Sequence, residues 1–386
     1  MKKRIFIVLV ACLAFVLTTW ADKPLQDELW KLRQLSKDPN SLVVMTRNIY
    51  VGGNVDRILL EQDPNKVPEQ VFKTYQEVLS TDFPTRAQAL ADEIERAQPH
   101  LIGLQEVSLL RIGDLDGIPR NAETELFDFE QILLSTLAGM GLDYYVAAKV
   151  KNADVELPMI DDITNPSVAA DVRLTDYDMI LARGDVPTWN KVEENYPYPY
   201  YLIVPTYTSY GDVEVKRGYV AVNAQVGHKT YTFVNTHLEP FSVLIQLGQA
   251  GVLTNYLAGI QPPVILVGDL NTAAPFGDTY VYLLSEGYVD AWTRNNVRPR
   301  IPGYTAGHDS DLRNEVVDLD ERIDLIMVRS DVGTMGMHNI GPVFAYVVGD
   351  EVADMIENPL DGTYMWPSDH AGVAALLHIP ILGMYK

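Results

Sequence analysis

The chain has 386 residues, 47% of them hydrophobic, with a formal charge of -22 at pH 7 and one cysteine, Cys12. That length and apolar content bury one large core or two modest ones, which excludes a low-complexity or disordered chain. The charge disfavours non-specific attraction to a nucleic-acid backbone unless divalent ions or a local basic patch compensate, and a lone cysteine excludes an intrachain disulfide framework.

Lys2, Lys3 and Arg4 precede an unbroken apolar run from Ile5 to Leu17, and Thr19-Trp20-Ala21 follows as a small-x-small exit. That order reads as a secretory signal peptide over residues 1–21. The run is too short to span a bilayer, which takes about 20 apolar residues, and no later stretch is long enough. Leu9-Val10-Ala11-Cys12 resembles a lipoprotein box, but the apolar core continues for five residues past Cys12, as in an undivided signal. Cleavage after Ala21 removes the cysteine and leaves 27 basic against 52 acidic residues, a charge of -25. Any metal is then held by oxygen and imidazole ligands.

Residues 22–40 are polar and helix-prone, and are expected to form a leader packed on the surface. Leu42 to Thr46 is the first strand signal. After a polar, Pro-punctuated segment, Asp82-Phe83-Pro84-Thr85 starts a helix in which Ala87, Leu90, Ala91 and Ile94 share one face, ending near Pro99. "HLIGLQEV" follows at once as an apolar strand that finishes in Gln105 and Glu106. The helix-then-strand unit recurs in "QLGQAGVLTNYLAGI", stopped by Pro262-Pro263, and "VILVGDLN", which finishes in Asp269 and Asn271. "YDMILAR", "GYVAVNAQV" and "TYTFVNTHL" read as strands between Gly-Asp and Gly-His turns, and "RIDLIMV" and "AGVAALL" complete the set. Segments 151–176 and 331–365, with scattered Pro, Gly and acidic residues, read as long insertions or loops. The expected organisation is one α/β domain over residues 41–379 with a tail over 380–386.

Five apolar strands end or begin in a residue suited to metal, phosphate or proton chemistry: Asn48, Glu106, His237, Asp269 with Asn271, and the Asp369-His370 pair of "WPSDHAGVAALL". One strand-end carboxylate is ordinarily a solvated one. Five such ends make a common rim the economical explanation, because strand termini are where sites assemble in layered α/β folds. Glu106, Asp269 and Asp369 are hard oxygen donors suited to Mg²⁺, Mn²⁺ or Ca²⁺. Asn48 and Asn271 orient ligands without adding charge, and His237 and His370 carry protons near neutral pH. A basic His370 needs an orienting carboxylate. Asp324 in "RIDLIMV" is the candidate, against a plain salt bridge to Arg322 or Arg329. Asp369 and His370, adjacent in an extended segment, are expected to point to opposite sides. Arg217 is either a phosphate contact or a surface cation. Gly52-Gly53 lacks the lysine of a phosphate loop, Ser368 sits in no G-x-S-x-G elbow, and the acidic stretch 308–321 reads as a solvated loop.

In that order, "VVMTRNI", "RAQALADEIERAQPHLIGLQEV", "FVNTHLEP", "VILVGDLNT", "RIDLI" and "PSDHAGVAAL" resemble the successive motifs of the endonuclease/exonuclease/phosphatase superfamily, from about residue 42 to 379. That family includes secreted nucleases, abasic-site nucleases, sphingomyelinases and inositol-phosphate phosphatases. The resemblance implies an α/β four-layer sandwich, two mixed β-sheets face to face with helices outside. It implies Mg²⁺, with Mn²⁺ or Ca²⁺ as alternatives, held chiefly by Glu106 with Asn48 and Asp369 at the metal or phosphate. It further implies that Asp269 positions or activates the attacking water, that Asn271 and His237 hold phosphate oxygens, and that His370 pairs with Asp324. Whether Asp269 or His370 takes the water's proton stays open. The chain departs from the pattern at Ile49-Tyr50, where many relatives carry a second polar ligand, and in the long separation of Asp324 from Asp369. The expected activity is a secreted, metal-dependent phosphodiesterase or phosphatase acting by in-line attack of water. Its substrate is a small phosphoester or lipid headgroup; a secreted endonuclease is the alternative, and a catalytically silent binding module the alternative of another class. No stable protein partner is implied, and no transmembrane segment in the mature chain.

Overall fold

The computed structural model describes residues 32–34, 41–116, 118, 120–164, 167–205, 211–261, 263–295, 302–330, 340 and 343–379. The signal segment with Cys12, most of the leader and the tail lie outside them. Strands buried on both faces account for the near-continuous apolar runs. In Leu42–Asn48, Leu42 and Val44 enter one core while Val43 and Met45 enter another. In Val264–Asp269, Ile265 and Val267 share the first of these cores, and Val264 and Leu266 enter a third.

Two large mixed sheets result. The eight-stranded sheet runs Val343–Val348, Gly372–Leu377, Leu42–Asn48, Leu101–Gln105, Val168–Arg183, Leu109–Asp114, Thr124–Asp128, with Tyr144–Ile160 also paired to Val168–Arg183. The six-stranded sheet runs Val289–Asp290, Asp324–Arg329, Val264–Asp269, Lys229–His237, Gly218–Val226, Thr188–Asn195. The central core lies between them, joining Val44 and Leu101 to Val220, Phe233 and Val267. Helices Phe83–Ala97 and Phe129–Gly139 cover the outer face of the first sheet, and Val243–Ala258 and Asp278–Ser285 that of the second. The architecture is therefore the helix, sheet, sheet, helix sandwich expected from the sequence. Among the described residues no helix is long and apolar enough to cross a membrane.

Each sheet holds one parallel pair, and parallel pairing requires a crossover. Leu42–Asn48 crosses through helices Val67–Ser80 and Phe83–Ala97 to Leu101–Gln105, and Lys229–His237 crosses through Val243–Ala258 to Val264–Asp269. The register sets Asn48 beside Gln105 and His237 beside Asp269, so the polar residues finish level at one end of each sheet. Behind that end the sheets are pinned together. A Cβ on Gly103 would come within 2.5 Å of Val267 Cγ2 and 2.7 Å of Asn235 Oδ1, so only glycine permits this approach. Asn235 accepts from Gln105 Nε2 at 2.6 Å and donates to the carbonyls of Leu104 and Met179 at 2.8 and 2.9 Å. Buried polar bonds of this kind, with both amide hydrogens of Asn235 used, specify one docking of the layers.

Three expectations need correction, and one helix was not foreseen. Residues 151–176 are not a loop: Tyr144–Ile160 and Val168–Arg183 form a long antiparallel pair. Three register shifts interrupt the alternation that marks a strand, and the polar residues satisfy one another, Asp154 accepting from Arg173 at 2.8 Å and from Thr175 at 3.0 Å. Within 331–365, Val343–Val348 is a buried strand of the first sheet. The polar segment before Asp82 holds the helix Val67–Ser80, whose Val67, Val71 and Val78 are buried. Leu32 is also buried in the core beneath Phe83–Ala97, so the leader is not wholly superficial.

Candidate active site

The two sheet ends meet at Asn48. Its amide nitrogen donates to Glu106 Oε1 at 3.0 Å and to Asp269 Oδ2 at 3.1 Å, across the interface between the sheets. Its amide oxygen accepts from the Tyr50 N–H at 2.9 Å. Asn48 thus acts first as a spacer between two carboxylates. Glu106 sits just past its strand with a φ of 59° and takes a second bond from the Val51 N–H at 2.8 Å. Gly52 and Gly53 do not cradle an anion: a Cβ at either would collide with Thr81 or Thr74 of the neighbouring helix, so they serve close packing.

Asp269 is the hub of the second sheet's contribution. The Asn271 N–H donates to its Oδ1 at 3.0 Å, while His237 Nε2 and His370 Nε2 lie 3.5 and 3.8 Å from its Oδ2. On the far side of His370, Nδ1 meets Asp324 Oδ2 at 2.8 Å. Asp324 is paired with neither arginine considered for it: Arg322 binds Asp290 at 2.8 Å, and Arg329 binds the carbonyls of Leu257 and Ile260. Arg217 Nη1 lies 3.0 Å from His237 Nδ1. A guanidinium only donates, so Nδ1 accepts and the His237 proton belongs on Nε2, toward Asp269. The Arg217 Nε is buried without a partner. Asn271 Nδ2 donates to the Leu238 carbonyl at 2.8 Å, which leaves its second amide hydrogen for a ligand.

Asp369 and His370 do not point to opposite sides. The chain bends at Asp369, the strand begins only at Gly372, and both side chains line one cavity of about 410 Å³ with Glu106, Asp269, His237 and Arg217. Ser368 points elsewhere, donating to the Asn48 carbonyl at 2.8 Å.

Burial and crowding set the charges. Burial pushes Asp269 up to about 7, with the His370 cation opposing and Asp324 reinforcing the rise. Burial likewise pushes Asp369 up to about 7, against His370 and with Glu106 and Asp269 adding repulsion. Burial alone would lower His370, but the charge and hydrogen bond of Asp324 carry it well above the usual imidazole value. Burial, then Arg217 and His370, push His237 well below it. The pocket therefore presents one imidazolium, one neutral imidazole and carboxylates poised near neutrality.

Several supporting residues carried no sequence signal that was read. Arg86 is fully buried and donates to the carbonyls of Ile49, Tyr50 and Pro367 at 2.8, 3.1 and 3.1 Å, clamping together the segments that carry Asn48 and Asp369. Arg47 is paired with Glu93 at 2.9 Å and also binds the His370 carbonyl. An arginine on the apolar face shared with Leu90, one turn on, was the available sign. Asp176 lines the same cavity, and burial pushes it up to about 6, with Arg217 opposing and Glu106 adding to the rise. The 308–321 stretch is only partly solvated: His308 stacks on Trp366 with ring centroids 4.1 Å apart, and Leu312 is buried.

The sequence model described as "Endonuclease/Exonuclease/phosphatase family" matches residues 76–370. The chain belongs to the endonuclease/exonuclease/phosphatase family. Leu42–Asn48 precedes the matched span yet sits at the centre of the first sheet and carries Asn48. Among solved structures, the chain is similar to an endonuclease/exonuclease/phosphatase from Beutenbergia cavernae DSM 12333 at 18% identity, covering 88% of this chain and 72% of that one, with a TM-score of 0.49. A family protein from Bacteroides thetaiotaomicron is similar at 16% identity over 90% and 98% of the two chains, TM-score 0.48. D. rerio TDP2, complexed with a single-strand DNA product, is similar at 15% identity over 87% and 98%, TM-score 0.47. No curated protein matches this chain. Members of the endonuclease/exonuclease/phosphatase family are hydrolases of phosphate esters and typically use a divalent metal.

The residues present fit such an ion in one of two places. Glu106 and Asp369 face the cavity as mutually repelling carboxylates that a cation would neutralise. Among the described residues, Asp269, Asp324 and His370 also bring ligand atoms within 4.8 Å of one another. In that second set His370 Nδ1 is engaged with Asp324, and the ring favours the cationic state, in which it offers no lone pair. The Glu106 and Asp369 pair is the better donor set.

Proposed function

We propose that the chain is an exported, Mg²⁺- or Mn²⁺-dependent phosphodiesterase or phosphatase that hydrolyses its ester by in-line attack of water. The observation that carries this reading is the His370 ring, 2.8 Å from Asp324 on one side and 3.8 Å from Asp269 on the other, opening on one cavity with Glu106 and Asp369. When bound, the cation supplies Lewis-acid stabilisation of charge on the phosphoryl oxygens, held by Glu106 and Asp369 with Asn48 beside them. Asp269, poised near neutrality and fixed by Asn48, Asn271 and His237, accepts the proton of the attacking water. Neutral His237 turns its Nε2–H toward Asp269, 3.5 Å from Oδ2, and helps to keep the carboxylate oriented. Protonated His370, held by Asp324, donates to a phosphoryl oxygen as charge builds on it. Arg217, which lines the same cavity, and the free amide hydrogen of Asn271 serve the same anion. Water's oxygen forms the new bond to phosphorus, the ester oxygen leaves with its electron pair, and it is reprotonated from solvent or from His370.

Residues 1–21 support export, and the charge of -25 after their removal supports a small phosphoester or lipid headgroup over long nucleic acid, because a polyanion meets the repulsion repeatedly. Purified protein with Mg²⁺ or Mn²⁺, and with chelator, should be assayed on bis-p-nitrophenyl phosphate, plasmid DNA and sphingomyelin. Metal-dependent hydrolysis of the first or third is expected. DNA cleavage alone would assign a nuclease, and no turnover of any substrate would assign a silent binding module.

A further inference from the structure

The catalytic groups line one part of their cavity. The rest runs on along helix Val67–Ser80, where the partly exposed Ile58, Val155 and Leu174 stand over the buried Val71, Leu157 and Val172. These side chains belong to one apolar cluster, separate from the central core and from those under the other helices. Aliphatic walls of this kind offer dispersion and exclusion of water to a flexible hydrocarbon, whereas nucleobases are bound by aromatic platforms and hydrogen-bonding edges. The whole space, about 410 Å³, lies in the range that holds a ligand of drug size, roughly 300–1,000 Å³. Apolar side chains also stand exposed on segments that continue from the cavity wall. Leu60 follows the lining residue Leu59, Leu244 follows Phe241, and Phe276 follows Asn271; they are 64%, 81% and 87% exposed. Gln246 Nε2 binds the Asn271 carbonyl at 2.7 Å, so the last two segments lie side by side.

We infer that one ester substituent of the substrate phosphate is an alkyl or acyl chain, which lies in the apolar part of the cavity beside helix Val67–Ser80 while the phosphate faces Glu106 and His370. This rests on the phosphoesterase reading and adds to it the chemical class of the substrate: an amphiphilic phosphoester, whether a soluble single-chain compound or a lipid in a surface. The acidic protein favours a zwitterionic or neutral surface over an anionic one.

The test is a series of 4-nitrophenyl phosphodiesters with methyl, butyl, hexyl and octyl as the second substituent, each assayed below its micellar concentration with Mg²⁺. Each buried methylene is worth about 0.8 kcal/mol, about fourfold in kcat/KM, so the series should climb steeply until the cavity is full. A flat or falling series, with the methyl ester still cleaved in a metal-dependent way, overturns the chain subsite and leaves the phosphoesterase reading standing. No cleavage of any member overturns both. Leu174→Trp puts a large ring where a partly buried leucine stood, and should lower the octyl-to-methyl ratio at least tenfold. The ratio is internal to each preparation, so partial misfolding, which lowers both rates alike, does not move it; an unchanged ratio counts against the subsite. Phosphatidylcholine and sphingomyelin vesicles form a further arm. Their hydrolysis assigns a lipid surface as the source of the chain, and hydrolysis of the soluble esters alone assigns a free amphiphile.

Discussion

The two sheets bring different chemistry to the cavity. The first ends in Asn48 and Glu106 and leads in with Asp369 and His370, while the second ends in His237 and Asp269 and carries Asp324 at the head of an antiparallel neighbour. On the first sheet Glu106 and Asp369 repel each other across the cavity, with His370 and Arg86 only partly offsetting the repulsion, which suits the pair to a divalent ion. On the second, Asp269 sits beside imidazoles in two protonation states, an arrangement for moving or donating protons. Neither half is complete alone. The Asn48 to Asp269 and His370 to Asp324 bonds both cross from one sheet to the other, so the site forms only when the sheets dock.

That division can be broken by mutation. Glu106→Gln should remove several kcal/mol of transition-state stabilisation, about a thousandfold in kcat/KM. Mn²⁺ should raise the melting temperature of the wild-type protein, and Glu106→Gln should abolish that rise. His370→Ala and Asp324→Asn should each cost about a hundredfold to a thousandfold in kcat, yet keep the Mn²⁺ response. Because the two act as one unit, the double variant should be little worse than either alone. If Asp324→Asn instead loses the Mn²⁺ response, the ion sits in the Asp269, Asp324 and His370 cluster and the assignment of roles to sheets is wrong. Asn48→Ala removes the spacer between halves without removing a reacting group, and should lower kcat/KM by about 10–100-fold, as loss of a ligand-orienting partner does. Comparable losses in metal affinity and in kcat would mark Asn48 as serving both sides.

The fold was largely legible because both sheets are buried on both faces, which turns strands such as Val264–Asp269 into unmistakable apolar runs. It failed where the physics is less regular. The bulged pair Tyr144–Ile160 and Val168–Arg183 loses its alternation at each register shift, and its Asp and Arg residues are paired with one another instead of marking a loop. Helix Val67–Ser80 was hidden because its buried face is three valines and a threonine, β-branched residues with no helical preference of their own. For the site, order along the chain picked out residues that the fold does bring together, since each lies at a strand end. Arg47 and Asp176 were not legible, and Arg86 offered only its place on the apolar face of its helix. Their positions acquire meaning only through backbone carbonyls and charges brought from distant segments. The bend at Asp369 is equally invisible to a rule that treats neighbours as extended.

The smallest effect bears on the sharpest question, which side chain takes the water's proton. Burial pushes Asp269 up to about 7 in the absence of an ion, and only its ionised form accepts a proton, so kcat should rise with pH along an ascending limb that Asp269 sets. A cation beside Glu106 and Asp369 favours the ionised carboxylate, so in the metal-saturated enzyme the same limb should move to lower pH. His370 runs the other way. Asp324 holds it well above the usual imidazole value, so it should remain protonated across that range and lose its proton only on a descending limb at higher pH. The second sheet therefore titrates upward into activity, and the residue leading into the first sheet titrates out of it. Asp269→Asn should flatten the ascending limb of whatever activity remains and leave the descending limb in place. Asp324→Asn should do the reverse, bringing the descending limb down toward neutrality as His370 loses the carboxylate that keeps it charged. An ascending limb that survives in Asp269→Asn would transfer the base to another group, with Asp369, pushed up to about 7 by burial in the same cavity, the first to examine.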